Sequence, residues 1–230
     1  MEINPVGSYA NLSNGMDLHY LEFCSDIDQV ATVIFIHGSG PGASGWSNFK
    51  NNVDAFSQMG YSTIVIDIPG YGQTSKPTDA IYSLDFFTQY LDEFLVHKNI
   101  TQAILVGNSL GGAIAIGYAL AYPDKVSHLI LMATGGVEER EIYFATEGIQ
   151  AMVKYPMGSP EFTKEVLGEL LKLLVFDPKH VTQELIDERW QILQTQNAQV
   201  LASMQIPNLT DRLQELSIPI LGFWGYQDKF

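Results

Sequence analysis

A single cysteine, Cys24, excludes an internal disulfide and leaves no thiolate partner for a metal site, so burial of apolar surface must hold the fold. The same scarcity fits a reducing compartment, and the cytoplasm is the expected location. Cations are also few: 12 Lys+Arg stand against 26 Asp+Glu, a formal net charge of −14. Neither nucleic acid nor an anionic membrane is an expected partner for such a surface. No apolar run reaches the length of a membrane span, and residues 1–15 lack the basic start and apolar block of a secretion signal. Internal repeats, low-complexity tracts and Gly/Ser-rich linkers are missing too, which points to one domain with an insertion. The 230 residues are 46% hydrophobic, enough for a sizeable core.

Short apolar runs recur with helical patterns between them. Residues 8–24 alternate loosely around Ser13-Asn14-Gly15 and read as an antiparallel hairpin at a sheet edge. Ala31 to Ile36, Tyr61 to Ile66, Ala103 to Val106, Val126 to Met132 and Ile218 to Gly225 read as strands buried on both faces. Trp46 to Met59 reads as one helix stopped by Gly60, and Leu84 to His97 as another, capped by Ser83. Between Gly135 and Leu209 the strand signal disappears. Ser159-Pro160-Glu161 opens an expected helix over Phe162 to Phe176, and Thr182 caps another running to about Thr195. The expected fold class is therefore α/β, a mostly parallel sheet with helices on both faces. Residues 1–134 and 210–230 form the core, and 135–209 a helical cap inserted before the last strand.

The stretch carrying chemistry is Gly107-Asn108-Ser109-Leu110-Gly111, between a buried strand and an alanine-rich helix. A serine at the tip of such a turn occupies strained backbone, and the flanking glycines let neighbouring elements approach without a Cβ. Ser109 is the expected nucleophile, with the Leu110 amide available to an oxyanion. Upstream, His37-Gly38-Ser39-Gly40-Pro41-Gly42-Ala43-Ser44-Gly45 ends another strand and frees backbone amides to face an anion.

A serine hydroxyl needs a base, and the base an orienting acid. Asp228, just past a strand end, is the candidate acid, with Asp67 second. On this type of turn the partners follow in the order serine, acid, histidine. None of the five histidines, His19, His37, His97, His128 and His180, lies after Asp228, so the chain is expected to lack the base. His37 is placed to hold the glycine loop by hydrogen bonds, His97 sits at a helix C-terminus, and His128 in a buried strand and His180 in the cap read as structural. Asn48 and Asn108 can hydrogen-bond a polar substrate group. Arg189 shares a helix face with Leu185, Ile186 and Leu193 and so points with the apolar side toward whatever the cap covers, where a guanidinium suits a carboxylate.

His37 to Ala43, Trp46-Ser47-Asn48-Phe49, Asp67-Ile68-Pro69-Gly70-Tyr71-Gly72 and Gly107 to Gly112 together resemble the meta-cleavage product hydrolases of the α/β-hydrolase superfamily. That resemblance implies an α/β-hydrolase fold and hydrolysis of a carbon–carbon bond in 2-hydroxy-6-oxo-2,4-dienoates from aromatic ring fission. By position it implies Ser109 as nucleophile, Asp228 as acid, an oxyanion hole at Ser39, Gly40 and Leu110, and substrate contacts at Gly38, Asn48, Asn108 and Arg189. It implies a small-molecule dienoate as partner, no metal or cofactor, and dimers or larger homo-oligomers. Members continue for several tens of residues through a strand whose following loop carries the catalytic histidine, so a C-terminally truncated chain is expected here. A carboxylesterase or lactonase of the same fold, and a catalytically incompetent fragment, are the competing expectations.

Overall fold

Strand β3 (Thr32–Ile36) shows why the sheet is central: all five of its residues are buried, and alternate side chains enter different cores. Ile34 and Ile36 join a cluster with α3 (Leu84–His97) and α4 (Leu110–Ala121), while Val33 and Phe35 join Phe49 and Val53 on the other face. A period of two with both sets apolar is what a strand covered on both faces requires. The structure, a computed structural model, describes residues 6–24, 30–197, 200 and 203–230.

The sheet has seven strands in the order β1-β2-β4-β3-β5-β6-β7. The hairpin of β1 (Ser8–Asn11) and β2 (Asp17–Phe23) is antiparallel, and β2 is antiparallel to β4 (Ser62–Ile66). From β4 onward, through β3, β5 (Ala103–Asn108), β6 (Val126–Met132) and β7 (Ile220–Phe223), the pairing is parallel. β4 lies on one side of β3 and β5 on the other, so the chain reverses its direction of progress there. Loops leaving β3 and β5 diverge at such a point and open a crevice, where open α/β sheets place ligands.

Three expected elements differ. The helix from Trp46 is two short helices, α1 (Gly45–Phe49) and α2 (Val53–Gln58), parted at Lys50-Asn51-Asn52. Paired asparagines favour turns, and the break lets both Phe49 and Val53 reach the core. The helix expected from Ser159 starts later, as α7 (Lys164–Leu173), with Thr163 as its cap. Phe162 before that cap and Leu167 in the first turn share a buried cluster, a hydrophobic staple that fixes the start. His128 is exposed on β6 instead of buried, because β6 presents alternate residues outward.

Between β6 and β7 the remaining described elements are helical: α5 (Arg140–Ala145), α6 (Glu147–Lys154), α7, α8 (Gln183–Leu193) and two short 3₁₀ turns, 178–180 and 210–215. Phe162, Leu167, Leu170 and Leu171 give this insertion a core of its own. β7 forms an open apolar edge, with Leu221 53% and Phe223 52% exposed. No helix among the described residues is long and apolar enough to cross a membrane.

Candidate active site

Ser109 occupies left-handed backbone, φ 53° and ψ −118°, between the end of β5 and the first turn of α4. Non-glycine residues avoid this region, and the turn is held against the strain by its surroundings. The Ser109 N–H donates to Met132 O at 3.0 Å, and its carbonyl accepts from Gly112, Ala113 and Gly135 at 2.9, 3.2 and 2.9 Å. Gly111 lies against the Ile36 carbonyl and Gly112 against Thr134, with no room for a Cβ at either position. Those contacts draw α4 onto the ends of β3 and β6 and lift the Ser109 side chain out of the sheet. Its hydroxyl has no hydrogen-bond partner among the described residues.

Opposite stands the loop after β3. A Cβ on Gly38 would be 3.0 Å from that of Ser109, so the two turns touch. Gly40-Pro41-Gly42-Ala43 closes with Ala43 N–H donating to Gly40 O at 3.0 Å and Gly42 at φ 67°, a type II turn with proline and glycine in their favoured places. His37 is fully buried; its Nε2 accepts from Ile68 N–H at 3.1 Å, which puts the ring proton on Nδ1, and Nδ1 donates to Gly38 O at 2.7 Å. Burial pushes its pKa down to about 4, offset in part by Asp67 and the Gly38 carbonyl and reinforced by Arg189. His37 is thus a neutral strut of the loop, as its position implied. Among the described residues, no acceptor meets the amides of Ser39, Gly40 or Leu110. Unmet amides on two touching turns, one of which carries a bare hydroxyl, are able to serve an oxyanion.

The polar wall is also assembled. Asn108 Nδ2 donates to Asn48 Oδ1 at 3.1 Å, while Asn48 Nδ2 donates to Ser44 O at 3.1 Å, and this fixes both amide orientations. Arg189 comes from α8: its backbone carbonyl packs on Gly42, its Nε is enclosed without a hydrogen-bond partner, and no carboxylate among the described residues pairs with it. Desolvation lowers its pKa to about 10 against the pull of Glu188, which is itself paired with Lys50. A half-buried guanidinium whose Nε has no partner among the described residues is able to pair with an anion.

Asp228 is exposed, its carboxylate accepts from Phe230 N–H at 3.1 Å, and no histidine among the described residues contacts it. The neighbouring chain turns onto α6 instead, where Gly148 N–H donates to Lys229 O at 2.7 Å. Asp67 is buried and saturated, accepting from His19 Nδ1 at 2.8 Å, Gly45 N–H at 2.7 Å and Gln73 N–H at 2.9 Å, so it anchors α1 to the sheet. A cleft of about 320 Å³ runs between it and Gln191, Ile192 and Thr195 of the insertion; Ser109 is not part of its lining. Sequence reasoning missed Tyr71, whose hydroxyl donates to Ser39 O at 3.3 Å, and Gln196, whose Oε1 accepts from Gly42 N–H at 3.0 Å. Tyr71 lies in the Asp67–Gly72 motif and Gln196 in none, but in both cases the part played is a contact with the backbone of a distant loop, which the motif does not record.

A family model described as alpha/beta hydrolase fold matches residues 31–230. A 2-hydroxy-6-oxononadienedioate/2-hydroxy-6-oxononatrienedioate hydrolase of Paraburkholderia phymatum is 36% identical over 211 residues, 86% of this chain and 71% of that protein. A 2-hydroxy-6-oxo-6-phenylhexa-2,4-dienoate hydrolase of Burkholderia cepacia is 32% identical over 215 residues, 90% of this chain and 74% of that one. Among solved structures, a meta-cleavage product hydrolase from Pseudomonas fluorescens IP01 superposes with a TM-score of 0.72 at 25% identity, covering 94% of this chain and 89% of its own.

Proposed function

The chain belongs to the α/β-hydrolase fold family, and on that footing we propose that it hydrolyses a carbon–carbon bond in 2-hydroxy-6-oxo-2,4-dienoates, with Ser109 as nucleophile and residues 135–209 as a cap over the site. The observation that carries the reading is the pairing of a bare Ser109 hydroxyl and free loop amides with an unpaired, enclosed Arg189. Simple ester hydrolysis needs the first half alone. The second half supplies an anchor for the carboxylate that every such dienoate bears.

In this reading the Arg189 guanidinium takes the carboxylate, and Asn48 and Asn108 hydrogen-bond the 2-hydroxy end. The enol ketonises, Ser109 or a water it positions attacks the distal carbonyl, and the amides of Ser39, Gly40 and Leu110 stabilise the tetrahedral oxyanion. The carbon–carbon bond then breaks; with one water consumed, a carboxylic acid and a dienol acid leave. Asp228 is proposed as the acid that orients a base. No histidine among the described residues contacts Ser109.

The decisive comparison sets a ring-fission dienoate against a p-nitrophenyl ester, in the parent chain and in Ser109→Ala and Arg189→Ala. Dienoate binding that depends on Arg189, with turnover that depends on Ser109, is expected. A preference for the ester that Arg189→Ala leaves untouched overturns the proposal.

A further inference from the structure

The loop amides assigned to the oxyanion are aimed by the carbonyls that precede them. A peptide unit is planar and trans, so a C=O held in one direction points the following N–H in the opposite one. The Gly38 carbonyl, held by His37 Nδ1–H at 2.7 Å, therefore sets the Ser39 N–H. The Ser39 carbonyl, held by the Tyr71 hydroxyl at 3.3 Å, sets the Gly40 N–H. The two rings are packed edge to face, 5.5 Å between centroids, and both are fully buried. Resting on the hydrolase reading above, we propose that Tyr71 is a positioning residue that aims the Gly40 amide at the oxyanion through the Ser39 carbonyl.

The surroundings make Tyr71 suited to this and little else. Its hydroxyl stays protonated, because burial raises its pKa far beyond the ordinary value, and it remains a donor at every working pH. Gln196, from the insertion, lies beside the phenol and accepts from Gly42 N–H at 3.0 Å, bracing the far end of the same loop. The chain thus holds the loop from the core through His37 and Tyr71 and from the insertion through Gln196.

The test uses phenylboronic acid, which needs no catalytic turnover. Boron bonds to Ser109 Oγ, the hydroxyl proton passes to buffer, and the tetrahedral boron carries a negative charge where the oxyanion would sit. Calorimetry on the parent chain should show binding that Ser109→Ala abolishes. Tyr71→Phe, which removes one oxygen, should weaken the boronate about tenfold, less than the loss of a whole oxyanion donor, and leave the affinity for benzoate, read by Arg189, unchanged. Gln196→Met should weaken it in the same direction. Tyr82→Phe is the control, since it removes another buried hydroxyl, one that donates to Pro77 O at 2.9 Å away from the loop, and should leave the boronate alone. Boronate affinity unchanged in Tyr71→Phe and Gln196→Met overturns the inference, as does equal weakening by Tyr82→Phe. No Ser109-dependent binding in the parent chain overturns the hydrolase reading beneath it.

Discussion

Gly111 sits against Ile36 so closely that its Cα faces the Ile36 carbonyl oxygen with no space for a methyl group. On helix propensity alone, Gly111→Ala should stabilise α4 by about 1 kcal/mol. The clash is with backbone, which cannot turn aside as a side chain can, and overpacking of this kind costs about 3 kcal/mol. The net expectation is destabilisation by about 2 kcal/mol, seen as a lower urea midpoint with an unchanged slope. A raised midpoint would show that α4 can slide away from β3.

The two acids weighed for the same role should separate cleanly. Burial alone would raise the pKa of Asp67, but the hydrogen bond from His19, the nearby imidazoles and the Gln73 amide bring it below the ordinary value. Asp67→Asn breaks a buried pair and should cost about 3–5 kcal/mol, whereas Asp228→Asn, at an exposed position, should change stability by less than about 0.5 kcal/mol. Denaturant titration of both variants checks this. A large loss from Asp228→Asn would mean that its carboxylate has a partner in solution.

How far the sequence discloses this molecule depends on whether the signal is local. The strand–turn–helix at Ser109, the Ser83 and Thr182 caps and the wholly apolar run of β3 are written in neighbouring residues, and the structure has them where the spacing puts them. The division of α1 from α2 and the start of α7 at Thr163 depend on which face each segment buries, so local helix signals overshoot them. The helix face of Arg189 is likewise read from spacing, but whether its Nε meets a partner is not. The parts of Tyr71, Gln196 and Asp67 were not, because each joins backbone far away in the chain, and a list of residue types does not record which carbonyl a hydroxyl meets.

Acid should act first through His37. Its folded pKa is lowered from 6.5 to about 4, so between those values the unfolded chain binds a proton that the folded one refuses. The stability held by the neutral ring is full above pH 6.5 and is lost as the pH falls toward 4, about 3 kcal/mol in all. Asp67, with its pKa lowered, contributes stability that is intact above 3.8 and lost only as the pH falls below it. The urea midpoint should therefore drop between neutral pH and pH 5, and His37→Gln, though less stable at neutral pH, should be flat across that interval. A flat profile in the parent chain would mean that the folded protein takes up the proton.

Arg189 should show opposite effects on binding and on folding. Its enclosed Nε has no partner and desolvation lowers its pKa to about 10, so in the free protein the charge is a burden on the fold. Removing a charge whose Nε is enclosed without a partner relieves a desolvation cost, and Arg189→Met should melt no lower than the parent chain. The same change removes a charge-assisted contact of about 1.5–3 kcal/mol with the carboxylate, and dienoate affinity should fall by roughly 10- to 100-fold. Arg189→Lys should recover only part of it, since an ammonium cannot offer the paired N–H groups of the guanidinium. Thermal melts with and without dienoate read both effects at once: the parent chain should gain stability on adding ligand, and Arg189→Met should start higher and gain less. A variant that melts lower and binds as well as the parent would place Arg189 in the scaffold of α8 and not in the recognition of an anion.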